Sequence, residues 1–238
     1  MKRIAFLLNF LLIFIFFGSS RAGFLPQKIK VKVTWVIDGD TVVLSNHAHL
    51  RYAGINALEL HTDTGIPQPF AVEATELNKK LTLNKVLYLR LVPQKRDRFG
   101  RLLGDLFYPN GTSVSELLLR SGYVLVCYYR DSSFLFRKYL KIQRQVIRKN
   151  LGIFRLARFI DKLYPGRIYI GNKRSKRFHA ASCKNAKKIR HKVIFHSILE
   201  ALYAGYCPAR GCFYEIFPQK AVELFFRRYY LKTTSIRP

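Results

Sequence analysis

The sequence predicts a mainly β protein with added helices, in which a closed five-stranded barrel of the OB type carries three helices. A small α+β module that contains cysteine and histidine is expected to follow the barrel. The first observation behind this prediction is a set of five short segments with strand signals, with an amphipathic helical segment between the third and the fourth. The second is the clustering of three of the four cysteines late in the chain, which indicates a separate module.

The strands are predicted from alternating apolar residues and from turn signals. Four apolar residues alternate with polar ones in the first strand, namely Val31, Val33, Trp35 and Ile37. The Asp38-Gly39-Asp40 segment that follows is interpreted as a turn, in which Gly39 is free to take positive φ. The other strands are expected over residues 41–44, 49–55, 86–92 and 102–108.

Three helices are predicted around the barrel. The first follows a loop at residues 60–69 and places Phe70, Ala74, Leu77 and Leu81 on one apolar stripe. The second begins at the capping signature of residues 113–116 and ends at Gly122. The third has a single apolar face, which is formed by Leu135, Tyr139, Ile142 and Val146.

The chain carries a large excess of positive charge. Its 238 residues include 42 Lys and Arg against 14 Asp and Glu, which gives a net charge of +28. Such an excess predicts binding to a polyanion, driven by counterion release. A surface that is basic only for solubility is the alternative interpretation. The hydrophobic content of 49% is enough for a folded core, which excludes a wholly disordered chain.

Residues 1–22 have the pattern of a targeting segment. Lys2 and Arg3 precede an almost wholly apolar run over residues 4–17, and Ser20 and Ala22 offer small side chains three and one before a possible cleavage site. The apolar run is shorter than the roughly 20 residues that a spanning helix needs. We therefore expect a signal peptide and an exported protein, secreted or periplasmic. An uncleaved membrane anchor is the alternative, because Arg21 is an unfavourable neighbour for cleavage.

The few acidic residues lie beside arginines and turns. Asp38 and Asp40 flank the first turn, Glu59 follows the third strand, and residues 97–101 read Asp-Arg-Phe-Gly-Arg between the last two strands. Carboxylates can hold a hard cation, and arginines can neutralise a phosphate. Metal-assisted hydrolysis of a phosphodiester needs this combination of groups.

These segments, in this order and spacing, make residues 29–155 resemble the staphylococcal-nuclease-like (thermonuclease) family. The resemblance implies an OB barrel with three helices, and calcium-dependent cleavage of DNA and RNA that leaves a 3′-phosphate and a 5′-hydroxyl. It also implies a calcium site made by Asp40, Asn56 and the backbone carbonyl of Ala57. Glu59 would then lie near the attacking water, as a general base or as a group that holds the water.

The same resemblance assigns residues to the substrate. Arg51 and Arg101 would grip the phosphate, and the planar fork of a guanidinium suits that task. Arg98, Phe99 and Tyr129 would contact the phosphate and the base of the bound nucleotide; hairpin packing is the alternative role of Phe99.

The chain departs from the family at the expected calcium site. The family usually has an aspartate where Asn56 stands, and a Thr-Pro or Ala-Pro pair where Ala57-Leu58 stands. Asparagine keeps one oxygen ligand but removes a full negative charge, so calcium should bind more weakly. Extracellular calcium can still fill a site of weaker affinity. The alternative outcome is complete loss of catalysis, which would leave a nucleic-acid-binding barrel.

Residues 166–216 resemble the small metal-binding module of the Ada DNA-repair protein, and residues 152–166 are expected to form a basic linker to it. Tetrahedral zinc is one interpretation of the module, with ligands at His179, Cys183, Cys207 and Cys212. A disulfide among these three cysteines, which leaves one thiol free, is the competing interpretation, because an exported protein meets oxidising conditions. Neither zinc nor a disulfide is the third alternative. Cys127 is interpreted as a small buried residue. Residues 217–238 are expected to be a basic tail or a terminal helix.

We therefore expect a monomeric, calcium-dependent, sugar-nonspecific endonuclease whose partner is DNA or RNA, with an N-terminal membrane tether as an option. A non-catalytic nucleic-acid-binding protein that uses the basic barrel is the alternative from another class. Binding by such a barrel should survive chelation of calcium, whereas cleavage should not. A cationic protein that binds anionic lipid or wall polymer is a third alternative.

Overall fold

The computed structural model describes residues 29–234, so the predicted targeting segment at residues 1–22 lies outside the described residues. The first six strands are β1 (Ile29–Val36), β2 (Thr41–Leu44), β3 (His49–Tyr52), β4 (Ile55–Ala57), β5 (Val86–Arg96) and β6 (Leu102–Phe107). All of them except β4 close into a barrel in the order β1-β2-β3-β6-β5. The predicted five-stranded barrel is therefore confirmed. Within the described residues, no helix is both long and apolar enough to cross a bilayer.

Three helices follow where the amphipathic patterns predict them: α1 (Ala71–Thr82), α2 (Val114–Ser121) and α3 (Ser133–Lys149). The capping signature forms as expected, because the Ser113 hydroxyl accepts a hydrogen bond from the Glu116 backbone N–H at 3.0 Å. Gly122 ends α2 in the left-handed conformation, with φ of 79°. Phe70 lies just before α1 rather than inside it.

The apolar alternation of β1 does not continue through Trp35. A register shift between Val33 and Trp35 interrupts the pairing of β1 with β2. The shift leaves the Trp35 side chain 65% exposed and turns Val36 into the barrel core in its place. A β-bulge is set by the partner strand, so a strict period of two along β1 could not reveal it.

Residues 152–166 are not a linker, contrary to the sequence prediction. They contain the helix α4 (Gly152–Leu163), whose apolar face is buried. Before it, the short strand β7 (Val124–Val126) pairs with β4. The basic residues that suggested a linker cover the exposed face of an amphipathic helix instead.

The C-terminal part is built on a second sheet. Its strands β8 (Tyr169–Asn172), β9 (Arg177–Ala180), β10 (Lys192–Phe195) and β11 (Cys207–Pro208) are arranged in the order β10-β8-β9-β11. The helices are α5 (Ile198–Tyr203), α6 (Phe213–Ile216) and α7 (Gln219–Thr234). We call residues 166–216 the C-terminal module, and its resemblance to the Ada module stays a prediction.

The C-terminal module is packed against the barrel domain, and the two share one core of buried residues. The buried side chain of Gln143 on α3 donates a hydrogen bond to the Leu202 carbonyl at 2.7 Å and accepts one from the Val126 backbone N–H. A disulfide between Cys127 and Cys207 joins the end of β7 to β11. The terminal helix α7 adds a ring contact between Phe225 and Phe70. The module is therefore held at a defined position beside the barrel.

Candidate active site

A cavity of about 830 Å³ opens at one rim of the barrel. All nine residues that the resemblance assigned to calcium, catalysis and substrate line it: Asp40, Arg51, Asn56, Ala57, Glu59, Arg98, Phe99, Arg101 and Tyr129. They come from the β1–β2 turn, β3, β4, the segment after β4, the β5–β6 hairpin and the segment after β7. Residues separated by up to about ninety positions in the chain thus share one concave surface.

The turn between β1 and β2 holds Asp40 at the floor of this cavity. Asp40 is 5% exposed, and its carboxylate accepts hydrogen bonds from the Thr41 hydroxyl at 2.9 Å and the Ala57 backbone N–H at 2.7 Å. Gly39 is needed here for close packing, not for positive φ as predicted: a Cβ on Gly39 would lie 2.5 Å from the Cβ of Ala74 and 2.7 Å from that of Ala57. The missing side chain therefore lets β4 and α1 approach the turn.

The groups assigned to calcium offer oxygen atoms as ligands, and they lie close together. The Asn56 side-chain amide donates to the Ala57 carbonyl at 2.6 Å, and the Ala57 N–H is bonded to Asp40. One carboxylate, one amide oxygen and one backbone carbonyl form the all-oxygen set that a hard cation prefers. The residues present therefore fit calcium, with one negative charge fewer than an aspartate at Asn56 would provide.

Asp38 belongs to the same acidic site, although the resemblance assigned it neither to the calcium ion nor to catalysis. The Asp38 carboxylate accepts a hydrogen bond from the Asp40 backbone N–H at 2.9 Å, and Asp38 lines the cavity. Burial, together with the neighbouring Asp40 carboxylate, raises the pKa of Asp38 to about 7. Its place two residues before Asp40 was the available sequence signal.

Arg51 is buried in the cavity wall and is held by several acceptors. Its guanidinium donates to the backbone carbonyls of Tyr52 at 2.7 Å and Ile55 at 3.0 Å, and to the Asn56 side-chain oxygen at 3.0 Å. It also lies 3.3 Å from the Asp40 carboxylate. Burial acts to lower the pKa of Arg51, but the field of Asp40 and its neighbours outweighs burial and raises that pKa. The charge of Arg51 is thus fixed in place and permanent.

The β5–β6 hairpin presents a second arginine. Two nitrogens of Arg101 contact the same Asp97 carboxylate oxygen, at 2.8 Å from Nε and 2.7 Å from a terminal nitrogen. Partial burial acts to raise the pKa of Asp97, but hydrogen bonds from Arg101 and the Phe99 backbone lower it overall. The Phe99 ring is 69% exposed, so it does not fill the hairpin and is free to contact a ligand. The Arg98 guanidinium lies over that ring, 4.7 Å from its centroid.

Glu59 is fixed from two directions. Its backbone N–H donates to the Gln68 side chain at 2.9 Å, which anchors the loop after β4. Its carboxylate forms an ion pair at 2.5 Å with Arg210, a residue of the C-terminal module. The group predicted to act near the attacking water is therefore in contact with a part of the chain that lies far from it in sequence.

The C-terminal module lines the cavity, and sequence reasoning missed this. Arg177, at the start of β9, stacks over the Tyr129 ring with 5.0 Å between guanidinium and centroid, and Arg210 pairs with Glu59. The Tyr129 hydroxyl in turn donates to the Asn56 side-chain oxygen at 3.3 Å. The local sequence around Arg177 and Arg210 contains no signal for these contacts, which depend on how the module docks.

The cysteines form two disulfides, Cys127–Cys207 and Cys183–Cys212. A disulfide between two of the three late cysteines is therefore observed, at Cys183–Cys212, but the predicted free thiol is wrong, because Cys207 pairs with the buried Cys127. Of the four predicted zinc ligands, His179, Cys183 and Cys212 come together, while Cys207 is bonded elsewhere. Zinc binds thiolates, so sulfurs joined in a disulfide do not provide its ligands.

A small barrel with arginines, carboxylates and an exposed aromatic ring around one rim cavity is the architecture of an OB-type domain adapted to a polyanionic ligand. Comparison with known proteins agrees with this description. Residues 49–155 match the sequence model of the family described as staphylococcal nuclease homologue. Residues 49–155, which include most of the barrel domain, are therefore similar to the staphylococcal-nuclease-like family.

Three curated relatives illustrate the similarity. The SPbeta prophage-derived endonuclease YokF of Bacillus subtilis is 28% identical over 133 residues, which cover 54% of this chain and 45% of that protein. Endonuclease YncB of the same organism is 32% identical over 115 residues, covering 47% and 54%. Thermonuclease of Staphylococcus hyicus is 27% identical over 125 residues, covering 50% and 73%. The chain thus spans about half the length of the first two relatives.

Proposed function

We propose that this protein is a calcium-dependent endonuclease that hydrolyses phosphodiester bonds of DNA and RNA without preference for the sugar. One observation carries the proposal: Asp40, Arg51, Glu59 and Arg101 line a single cavity. The relatives named as endonucleases and thermonuclease support the same activity. The net charge of +28 suits a polyanionic substrate.

Asp40, Asn56 and the Ala57 carbonyl would hold the calcium ion. Bound there, the ion would act as a Lewis acid on a phosphate oxygen. Among these three groups Asp40 contributes the single negative charge, and its hydrogen bonds to Thr41 and Ala57 fix its orientation. A rigid carboxylate at a strand start can bind a cation without reorganising.

The chain's own residues account for the remaining chemistry. The Glu59 carboxylate accepts a proton from a water molecule, whose oxygen attacks the phosphorus in line with the 5′-oxygen. The bond between phosphorus and that 5′-oxygen breaks, and the leaving oxygen takes up a proton from solvent water, which leaves a 3′-phosphate and a 5′-hydroxyl. Arg51 and Arg101 stabilise the charge that grows on the phosphate oxygens, and one such group contributes roughly 2.7–4 kcal/mol to the transition state.

Digestion of a plasmid with and without millimolar calcium tests the proposal. The Arg101→Ala variant should lose about 10²–10³ in kcat, because one preorganised donor is removed, and Glu59→Gln should lose activity because an amide cannot accept the proton. Arg120→Ala and Glu76→Gln are matched controls, since both side chains are solvent-exposed and lie outside the cavity. Equal cutting by all variants would point to a contaminating nuclease and reject the assignment.

A non-catalytic nucleic-acid-binding protein is the second candidate, and the amide of Asn56 in place of a carboxylate favours it. The two candidates differ in their response to a chelator. A folded protein that binds DNA with and without calcium but cuts no strand at any calcium concentration would establish the binding protein and exclude the nuclease.

We also propose that the protein is exported, either secreted or periplasmic. The pattern of residues 1–22 supports export, and so do two disulfides, because disulfides persist in oxidising compartments. N-terminal sequencing of the protein recovered from the culture medium and the periplasm would locate the mature chain.

A further inference from the structure

Five arginines line the cavity: Arg51, Arg98, Arg101, Arg177 and Arg210. Three of them are neutralised by a carboxylate, through the pairs Arg51–Asp40, Arg101–Asp97 and Arg210–Glu59. Arg98 is solvent-exposed beside Phe99. Arg177 differs from all of these, because it is half-buried and pairs with no acidic group among the side chains that the structure describes.

The hydrogen-bonding state of Arg177 indicates a missing partner. One terminal nitrogen, Nη1, is buried and has no hydrogen-bond acceptor. A buried donor without an acceptor costs about 1–3 kcal/mol, and more when it is charged. Buried donors without an acceptor are rare in native proteins, and an ordered water, an ion or a ligand accounts for many of them.

The contact of Arg177 with Tyr129 defines which acceptor would fit. The guanidinium lies over the ring, with its central carbon 5.0 Å from the centroid, so the aromatic system contacts one side of the cation. The N–H groups of a guanidinium lie in its plane. A planar fork of this kind binds phosphate oxygens with two parallel hydrogen bonds. Arg177 thus presents to the cavity a guanidinium that is held against the Tyr129 ring and has no carboxylate partner among the described side chains.

We propose that Arg177 of the C-terminal module binds a non-scissile phosphate of the nucleic acid, next to the phosphate held by Arg51 and Arg101. This inference rests on the proposed nuclease function and extends it. The family match ends at residue 155, so Arg177 adds to the barrel a subsite that comes from another part of the chain. Such a subsite favours a substrate with several phosphates over one with a single phosphodiester bond.

Two properties of the module support this role. The Cys127–Cys207 disulfide links β11 to the end of β7, only two residues before Tyr129. Within the sheet, Cys207 pairs directly with Arg177 in the β9–β11 register. The covalent bond therefore holds both the arginine and the ring beneath it, so the subsite is preorganised and pays little ordering cost on binding.

Binding in the presence of a chelator tests the subsite without cleavage. Fluorescence anisotropy of a labelled single-stranded octanucleotide would compare the full-length protein with Arg177→Gln and with the control Arg174→Gln. Arg174 is exposed in the turn of the same hairpin and does not line the cavity, so both variants lose the same charge. Arg177→Gln should raise Kd about tenfold and reduce the slope of log Kd against log salt by about 0.7. Equal Kd values for the two variants would overturn the proposal.

Cleavage adds a second comparison, between the octanucleotide and a dinucleoside monophosphate, which has one phosphodiester and no flanking phosphate. Arg177→Gln should lower kcat/KM on the octanucleotide several-fold more than on the dinucleoside monophosphate. Equal losses on both substrates would assign Arg177 to the scissile phosphate or to the fold, and would refute a separate subsite.

Urea unfolding monitors whether each variant folds. If the Arg177→Gln variant does not fold, Arg177→Lys provides a second test of the proposal. Lysine retains the charge without the planar fork, so the salt slope should stay near that of the unmodified protein while Kd rises. A lysine variant with unchanged Kd would reject the two-point contact. If the unmodified protein binds the octanucleotide but never cuts it, the nuclease assignment fails, and the anisotropy comparison still decides whether Arg177 holds a phosphate.

Discussion

The Cys127–Cys207 disulfide should be the main covalent restraint on the position of the C-terminal module. It joins residues that are 80 positions apart, and both cysteines are almost fully buried. In the chain-entropy description, a cross-link that closes a loop of this length restricts the unfolded chain by about 4.5 kcal/mol, and measured native disulfides contribute about 2–4 kcal/mol. We therefore expect Cys127→Ala with Cys207→Ala to lower the free energy of unfolding by about 2–4 kcal/mol.

Urea unfolding of the oxidised proteins would measure this change, with the midpoint and the m-value recorded separately. The matched control is Cys183→Ala with Cys212→Ala, which removes a disulfide of sequence separation 29 within the C-terminal module. This control should also lose stability, by somewhat less because the loop is shorter. Only the loss of Cys127–Cys207 should weaken binding of an octanucleotide, because only that bond links the module to the barrel at the cavity.

Two results would refute this reasoning. Alkylation of the unfolded, unreduced protein at all four cysteines would show that the disulfides are absent. The second result compares three free energies of unfolding: that of the unmodified protein without reductant, that of the same protein with reductant, and that of the Cys127→Ala/Cys207→Ala variant. Three equal values would show that the bond does not restrain the chain.

Two further predictions concern the metal site and the core. Asn56→Asp should lower the calcium concentration that gives half-maximal cleavage, because calcium affinity rises with ligand charge. A calcium titration checks this, with Asn110→Asp in an exposed turn as the control. An unchanged half-maximal concentration would show that Asn56 is not part of the calcium site. Asp105→Ala should lower the free energy of unfolding by about 3 kcal/mol or more. The reason is that the buried carboxylate accepts hydrogen bonds from the Ser113, Ser115 and Tyr139 hydroxyls and from two backbone N–H groups. Urea unfolding measures the loss beside the exposed control Asp63→Ala, and equal losses in the two variants would contradict the prediction.

Much of the barrel could be predicted from local patterns. The apolar periodicity and the turn residues located five strands and three helices, because these signals act over only a few neighbouring residues. The capping signature at Ser113 was reliable for the same reason, since its hydrogen bond closes within three residues. The bulge in β1 escaped prediction because it depends on pairing with β2, and the position of α4 escaped because its basic residues concealed a buried face.

The amino-acid sequence by itself determined which chemical groups the barrel would bring to its rim. The order and spacing of Asp40, Arg51, Glu59 and Arg101 follow strand ends and turns, and strand ends in a small barrel meet at one rim. Only the tertiary structure decided that a second part of the chain would complete this surface with Arg177 and Arg210. Their approach depends on long-range packing of the C-terminal module and on the bond between Cys127 and Cys207, and contacts of that range leave no periodic pattern in the sequence.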